Sequence, residues 1–443
     1  MNDFLPQVLI VLWLNFILDT VPVRVVATFA ELLIGAMISG SGHITDALLA
    51  VGHQKHFSTY YWFITKAKWS WLSVVKQFIK FLTTFFPRRE WNFIIDDFIC
   101  PRVSKKAPNA AYHYDHSRKP NRSQYIWGQQ WIALGLSFTW GRIWSALPIL
   151  FRLHKKVGNR SKIKTASLLL KTVAPFFLET GEDIILRCLV DCWYMKSTFI
   201  LPLFKLGIQV IGQVRKDTAL FSKPVLIPGV KKKRGRPRKY GEKWTAERIK
   251  EQLPLHQAML NIYGSCKLVK YRSTQCLARF LLGQSVMAVW CQLPRQKGWT
   301  LILSTDLTLT PQQIIKLYAR RWKTEPMFNE IKHAYGVANV WEQTSRSAHR
   351  WVSMICLSYS LTRLLSLVAV SKNNNVFVPI IQWRIKSVVT AGLVRKGLEL
   401  FFRQFTFTPK ADAVSRLWNP KSKKLILKME PMMSQKIKDV GSL

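Results

Sequence analysis

The stretch "DIILRCLVDCWY", residues 183 to 194, is apolar from Ile184 to Val190 except for Arg187, and it ends in an acid followed by aromatics. A strand with one wet face alternates apolar and polar residues. A short continuous apolar run fits instead a strand buried on both faces, as in a parallel sheet covered by helices. The run therefore predicts a buried strand that delivers Asp191 to its end. Upstream, "KIKTASLLLKTVAPFFLE" (162–179) has the apolar spacing of a helix, and "WNFIIDDFICP" (91–101) and "QYIWGQQWIALGLSF" (124–138) are β-rich, aromatic-rich segments punctuated by Asn and Gly. Strands, then a helix, then a buried strand make an α/β fold with a mixed sheet.

The chain has 443 residues, enough for two to four units at about 150 residues each. Lys and Arg number 66 against 24 acids, a formal charge of +42 with a pI near 10.3. So basic a chain repels itself unless a polyanion neutralises it, and nucleic acid is the obvious one; ribosome-like and membrane-surface proteins share the property. Seven cysteines are scattered without a CxxC pair, and Cys188 and Cys192 fall in the buried-strand segment, which predicts reduced structural thiols. The His113-Tyr-Asp115-His116 cluster sits among Pro, Asn, Ser and Arg and reads as a solvated loop with no ligand role. The N-terminal "LPQVLIVLWLNFIL" is too short to span a bilayer and lacks the positive flank of a signal peptide. The apolar run from Met354 to Val370 carries Arg363 at its centre and reads as a core helix. No membrane partner is expected.

Residues 1–88 read as a helical domain. "VVATFAELLIGAMI", a "SGSGH" break, "ITDALLAVG" and "FSTYYWFITKAKW" form either a helix-turn-helix DNA reader or a plain helical core, with Thr45 and Ser58 as candidate N-caps. A catalytic α/β unit would occupy 89–230 and resume at 301–372. Between them, 231–300 holds a basic segment and β-rich runs that look like an insertion returning to the main sheet. A basic region, 373–443, follows.

The chemistry concentrates in "YARRWKTEPMFNEIK", residues 318–332. At about 100° per residue, Tyr318, Arg321, Glu325 and Lys332 fall within an arc of roughly 60°, along a row of about 21 Å. Cations thus lie on both sides of one carboxylate. An ordinary ion pair between Arg321 and Glu325 across one turn gives the same pattern at a few tenths of a kcal/mol. Pro326 removes a backbone hydrogen bond and predicts a kink just before it, so Lys332 is the least securely placed of the four.

The spacing Y-x2-R-x3-E-x6-K, with "DDFICPR", "YHYDHSRKPNRSQYIWGQQWIALGL", "LVDCWY" and "STDLTLTPQQIIKLYARRW" in the same order, resembles the bacterial insertion-sequence transposases of the DDE type with the YREK signature. The resemblance covers most of the chain. It implies an RNase H-like mixed sheet flanked by helices, joined to the N-terminal helical domain and the β-rich insertion. It implies Asp96, Asp191 and Glu325 as catalytic and metal-binding acids, and Tyr318, Arg321 and Lys332 as contacts to transposon-end DNA. Such chemistry suits two Mg2+ ions about 4 Å apart, with Mn2+ as a substitute, because hard cations take carboxylate oxygens. Asp97 is the alternative first acid. Family members show Asp, any residue, then Thr, whereas this chain has Phe98; alternation along a strand lets only one of the two acids face the metals. Asp306 in "STDL" is a rival second acid or a cap on backbone amides. "KKKRGRPRKYG" resembles an AT-hook, with Arg236 and Arg238 entering a narrow minor groove, or else is a basic linker.

These expectations describe a transposase that cuts transposon ends and transfers the freed strand into target DNA, working as a homodimer in the cytoplasm at the bacterial nucleoid. A transposase-derived DNA-binding protein without catalysis fits the charge equally, although the complete acid set argues against it. A tyrosine recombinase using Tyr318 would need an Arg and His cluster that the sequence does not display.

Overall fold

The computed structural model describes residues 6–115, 123–141, 143–155, 158–224, 238–294, 296–371 and 390–404. Five helices lead the chain: α1 (Pro6–Leu18), α2 (Val23–Ser39), α3 (Ile44–Val51), α4 (Phe57–Thr65) and α5 (Trp71–Phe85). After them come β1 (Glu90–Pro101), β2 (Ala111–Tyr114), β3 (Tyr125–Trp140), β4 (Ile143–Leu153), α6 (Gly158–Leu178), β5 (Ile185–Val190), α7 (Ser197–Phe204) and β6 (Gln209–Val214). Next comes β7 (Leu220–Phe221); the 231–300 insertion supplies α8 (Ala246–Gln252), β8 (His256–Ile262), β9 (Ser265–Ala278) and β10 (Gln284–Gln292), and β11 (Thr300–Ser304) follows. Then follow α9 (Pro311–Arg320), α10 (Thr324–Asn329), α11 (Ser345–Ser371) and α12 (Ala391–Gln404).

All eleven strands join one sheet, ordered β2-β3-β1-β5-β6-β11-β10-β9-β7, with β4 also on β3 and β8 also on β9. β1 runs antiparallel to β3 and parallel to β5, and β5 runs parallel to β6. The path β4-β3-β1-β5-β6 is thus the mixed sheet of an RNase H-like domain. The strands of the insertion return to the main sheet: β10 pairs antiparallel with β11, which pairs antiparallel with β6.

Alternation along β1 sorts its side chains between two helical layers. Phe93 packs edge-on to Phe177 of α6, while Phe98 meets Phe328 of α10. The β5 run is buried from Leu186 to Val190, as its composition requires. α11 is long and apolar enough to cross a membrane by composition, but 94% of its apolar window is buried inside the protein. It acts as a core helix, with Arg363 donating to Ser145 Oγ at 2.8 Å.

The N-terminal helices share this core. The Arg350 guanidinium of α11 donates to the carbonyls of Phe63, Ile64, Ala67 and Trp69 at 2.9–3.2 Å, so it closes the C-terminal end of α4. Trp351 Nε1 donates to the Gly42 carbonyl at 2.8 Å, and Ser358 Oγ to the Leu33 carbonyl at 2.9 Å. Gly42, at φ +84°, lies so close to Gly336 that a Cβ would fall 1.8 Å from the Gly336 carbonyl oxygen. The "SGSGH" break is therefore a docking point for the loop that follows α10. α2 and α3 meet at 98°, but α3 and α4 contain no Lys or Arg.

Several local expectations need correction. Thr45 and Ser58 lie inside α3 and α4, whose N-caps are His43 and His56. Thr45 instead pairs with the Tyr61 hydroxyl at 3.3 Å, and the His56 ring accepts from the Ser58 amide. Tyr112 to Tyr114 belong to strand β2 rather than a loop, because β3 offers its edge; His116 lies outside the described residues. Cys188 is buried, but Cys192 is exposed, in the turn beyond β5. Of the basic region 373–443, only 390–404 is described, and α12 there packs on α2 and α11.

Candidate active site

Two acids meet where parallel strands end. Ile95 of β1 registers with Val190 of β5, so the next residues, Asp96 and Asp191, are neighbours at the C-terminal edge of β5. Asp191 Oδ1 accepts from the amides of Trp193 and Tyr194 at 3.0 and 3.3 Å, which fixes the turn after the strand.

Asp96 and Asp97 point to opposite layers. Asp96 Oδ2 accepts from Arg321 Nη1 at 3.2 Å and lies 3.3 Å from the Thr324 hydroxyl, so it faces the α9–α10 side. Asp97 faces α6: its Oδ1 is 2.5 Å from Lys162 Nζ and accepts from Tyr194 Oη at 3.1 Å, while its Oδ2 accepts from Gln130 Nε2 at 2.6 Å. Burial pushes the Asp96 carboxyl up to about 7; Arg321 opposes the shift, and Asp191 and Asp97 add to it. Burial also raises Asp191, against the Tyr194 amide and Arg321. Arg321, although burial opposes its charge, is held above its usual value by Tyr318, Asp96 and Asp191. The site is a carboxylate pair restrained by one guanidinium.

The helical segment that carries Arg321 and Glu325 is built in pieces. Thr310 and Gln313 form a reciprocal capping box with Pro311 in the first turn, which starts α9. Arg321–Lys323 tightens into a 3-10 turn, and α10 begins afresh at Thr324. Pro326 thereby falls in the first turn of α10, where its missing N–H costs little. This accounts for a proline inside what looks, in sequence, like one helix. Glu330–Ala334 then widens into a π turn, so the regular 100° projection does not hold out to Lys332. Lys332 Nζ comes to rest 5.7 Å from the Phe98 ring centre, beside β1.

The other expected residues are placed as follows. Glu325 is exposed on α10; burial raises its carboxyl and Arg321 lowers it. Among the described residues no three His, Cys, Asp or Glu side chains form one group able to hold a metal, so Glu325 is not gathered with Asp96 and Asp191. Tyr318 is 9% exposed, donates to Gln213 Oε1 at 3.1 Å and lies under the Arg321 guanidinium at 5.8 Å. Burial pushes its hydroxyl up to about 12, which does not suit a recombinase nucleophile. Asp306 is engaged elsewhere, with Arg187 Nε at 2.7 Å and with the amide and hydroxyl of Thr308 on its Oδ1. Arg238 is exposed and Arg236 lies outside the described residues. Sequence reasoning missed Thr324, Lys162, Gln130 and Tyr194. Only Tyr194, inside the "DCWY" run, stood near a signal.

The model of the DDE superfamily endonuclease family matches residues 27–261. The chain belongs to that family. The match takes in Asp96, Asp97 and Asp191 and ends before Arg321 and Glu325, whose roles rest on the geometry and on the signature spacing. Among curated proteins, none matches this chain.

Proposed function

We propose that this DDE endonuclease is a DNA transposase of the YREK insertion-sequence type, cutting a strand at each transposon end and joining the freed 3′-OH to target DNA. The observation that carries the reading is the pair Asp96 and Asp191, adjacent on parallel strands and opposed to Arg321 on the Glu325 segment. The two gathered acids fit part of a hard-cation site, since both are carboxylates and the burial of Asp96 opposes its own charge. Asp96 and Asp191 would hold the Mg2+, or Mn2+ in its place, and Glu325, which is not gathered with them here, would complete a two-ion site only after α10 shifts toward β1. Bound there, the metal supplies a nucleophilic water at neutral pH and stabilises charge on the leaving oxygen.

The chain's own residues prepare that step. Arg321 holds Asp96 while no phosphate is near; an incoming phosphate competes for the guanidinium and frees the carboxylate. Tyr318 supports Arg321 from beneath, and Lys332 extends the cationic line past Phe98 for phosphates flanking the cut. Arg236 and Arg238 would add affinity for A·T-rich duplexes. The enzyme would act as a homodimer on paired ends, in the bacterial cytoplasm at the nucleoid.

Cutting of end-containing DNA with Mg2+, measured beside gel-shift binding, tests the proposal. Asp191→Asn and Glu325→Gln should each lower cutting by roughly 1,000-fold, as loss of a group stabilising developing charge does, with DNA affinity nearly unchanged. Binding by the wild type without cutting would leave only a transposase-derived DNA-binding protein.

A further inference from the structure

The C-terminal ends of β5 and β6 open onto a pocket of about 760 Å³ that has no part in the arrangement above. Its inner wall comes from the turn after Asp191 and from α7, and its outer wall from the insertion at Arg279 and Phe280. The insertion is tied to this wall, because the Arg279 amide donates to the Ala219 carbonyl. Cys192, the residue after Asp191, lines the pocket, so the pocket lies beside the end of β5 that carries the acid.

Its charges are lopsided. Lys196, Arg215 and Arg279 line it against one acid, Asp217, which pairs with Arg215 at 3.3 Å. Among the described residues neither Lys196 nor Arg279 forms a salt bridge, and both are exposed. Between the cations lie apolar surfaces from Met195, Val214 and Phe280. Cations around an apolar and aromatic floor match nucleotides that present a phosphate outward and a base face inward. The volume falls in the range of about 300–1,000 Å³ typical of small-ligand pockets, whereas a double helix, whose major groove alone is about 12 Å wide, does not enter.

We propose that this pocket takes a short single-stranded stretch of the DNA flanking the cut, with Lys196 and Arg279 on its phosphates and Phe280 against a base. The proposal rests on the nuclease reading and adds to it that the flank is unpaired when bound, with the insertion as half of the site.

The test is binding without divalent metal, which separates it from any failure of cutting. Fluorescence anisotropy is measured with a labelled oligothymidylate of four nucleotides and with a blunt duplex, for the wild type, Lys196→Gln, Arg279→Gln and the double variant. The double variant should bind the oligothymidylate about tenfold more weakly, and its single-strand salt slope should fall by about 1.4 units, the value for two lost phosphate contacts. Duplex affinity should change less than twofold and thermal unfolding not at all. Equal losses on both ligands, unchanged affinity for the single strand, or no oligothymidylate binding by the wild type would each overturn the proposal.

Discussion

Arg187 and Arg321 each hold an aspartate across the sheet, at 2.7 Å from Asp306 and 3.2 Å from Asp96, yet the two carboxyls are driven in opposite directions. Asp306, although burial raises it, is held below its usual value by Thr308 and Arg187. Asp96 is pushed up to about 7 because burial, with Asp191 and Asp97 nearby, outweighs Arg321. The difference lies in burial and neighbouring charge rather than in the number of donors. Asp306 accepts from the Thr308 amide and hydroxyl and from Arg187, which also reaches Glu90 at 2.9 Å. Asp96 accepts from the Asp97 amide at 2.9 Å and from Arg321, but it is buried beside two further acids, Asp191 and Asp97. A closed ion pair is structural, and one that leaves acid charge over suits a site awaiting a cation.

The largest expected effect tests the closed pair. Arg187→Met leaves buried Asp306 without its cation and should cost about 3–5 kcal/mol of stability, as removal of one partner of a buried pair does. Adding Asp306→Leu should recover most of that loss. Denaturant unfolding of both variants checks it; a single variant as stable as the wild type would erase the distinction between the pairs.

The open pair has the reverse pH signature. With its folded value raised to about 7, Asp96 favours folding while protonated and loses that contribution as pH rises from about 4 through 7. In chelator, Asp96→Asn should therefore unfold at a higher temperature than the wild type at pH 8, with the gap closing by pH 4. Asp306, held low, loses its contribution only as pH falls below the usual carboxylate range. A gap that did not change with pH would show that burial and the neighbouring acids leave Asp96 as free to ionise as Asp306.

The smallest effect concerns the cations. If Arg321 turns from Asp96 to phosphate on binding, Arg321→Ala should lower the slope of log affinity against log salt by up to about one unit, and Lys332→Ala similarly. An unaltered slope in both would reduce Arg321 to a fixed counterpart of Arg187.

Much of this is legible in the sequence. The apolar run of β5 and the acid ending it marked the parallel centre of the sheet, because burial on both faces leaves no choice of side chain. Alternation foretold that Asp96 and Asp97 point to opposite faces of the strand, as they do. The 3-10 turn before Thr324 and the π turn at Glu330–Ala334 were not legible, since backbone hydrogen-bond spacing leaves no mark in composition. Nor was the role of Gly42, whose reason is the close approach of Gly336, 294 positions away. The cap that Asp306 places on the Thr308 amide was legible in "STDL", but its ion pair was not, because Arg187 looks like an interruption of an apolar strand.

The central claim is that the acid facing α10 carries the chemistry and its neighbour facing α6 does not. Its most direct measurement compares Mg2+-dependent cutting of end DNA by Asp96→Asn and Asp97→Asn, each shown to bind that DNA. The account expects Asp96→Asn to cut at background level and Asp97→Asn to retain measurable cutting; equal rates, or the reverse order, would contradict it.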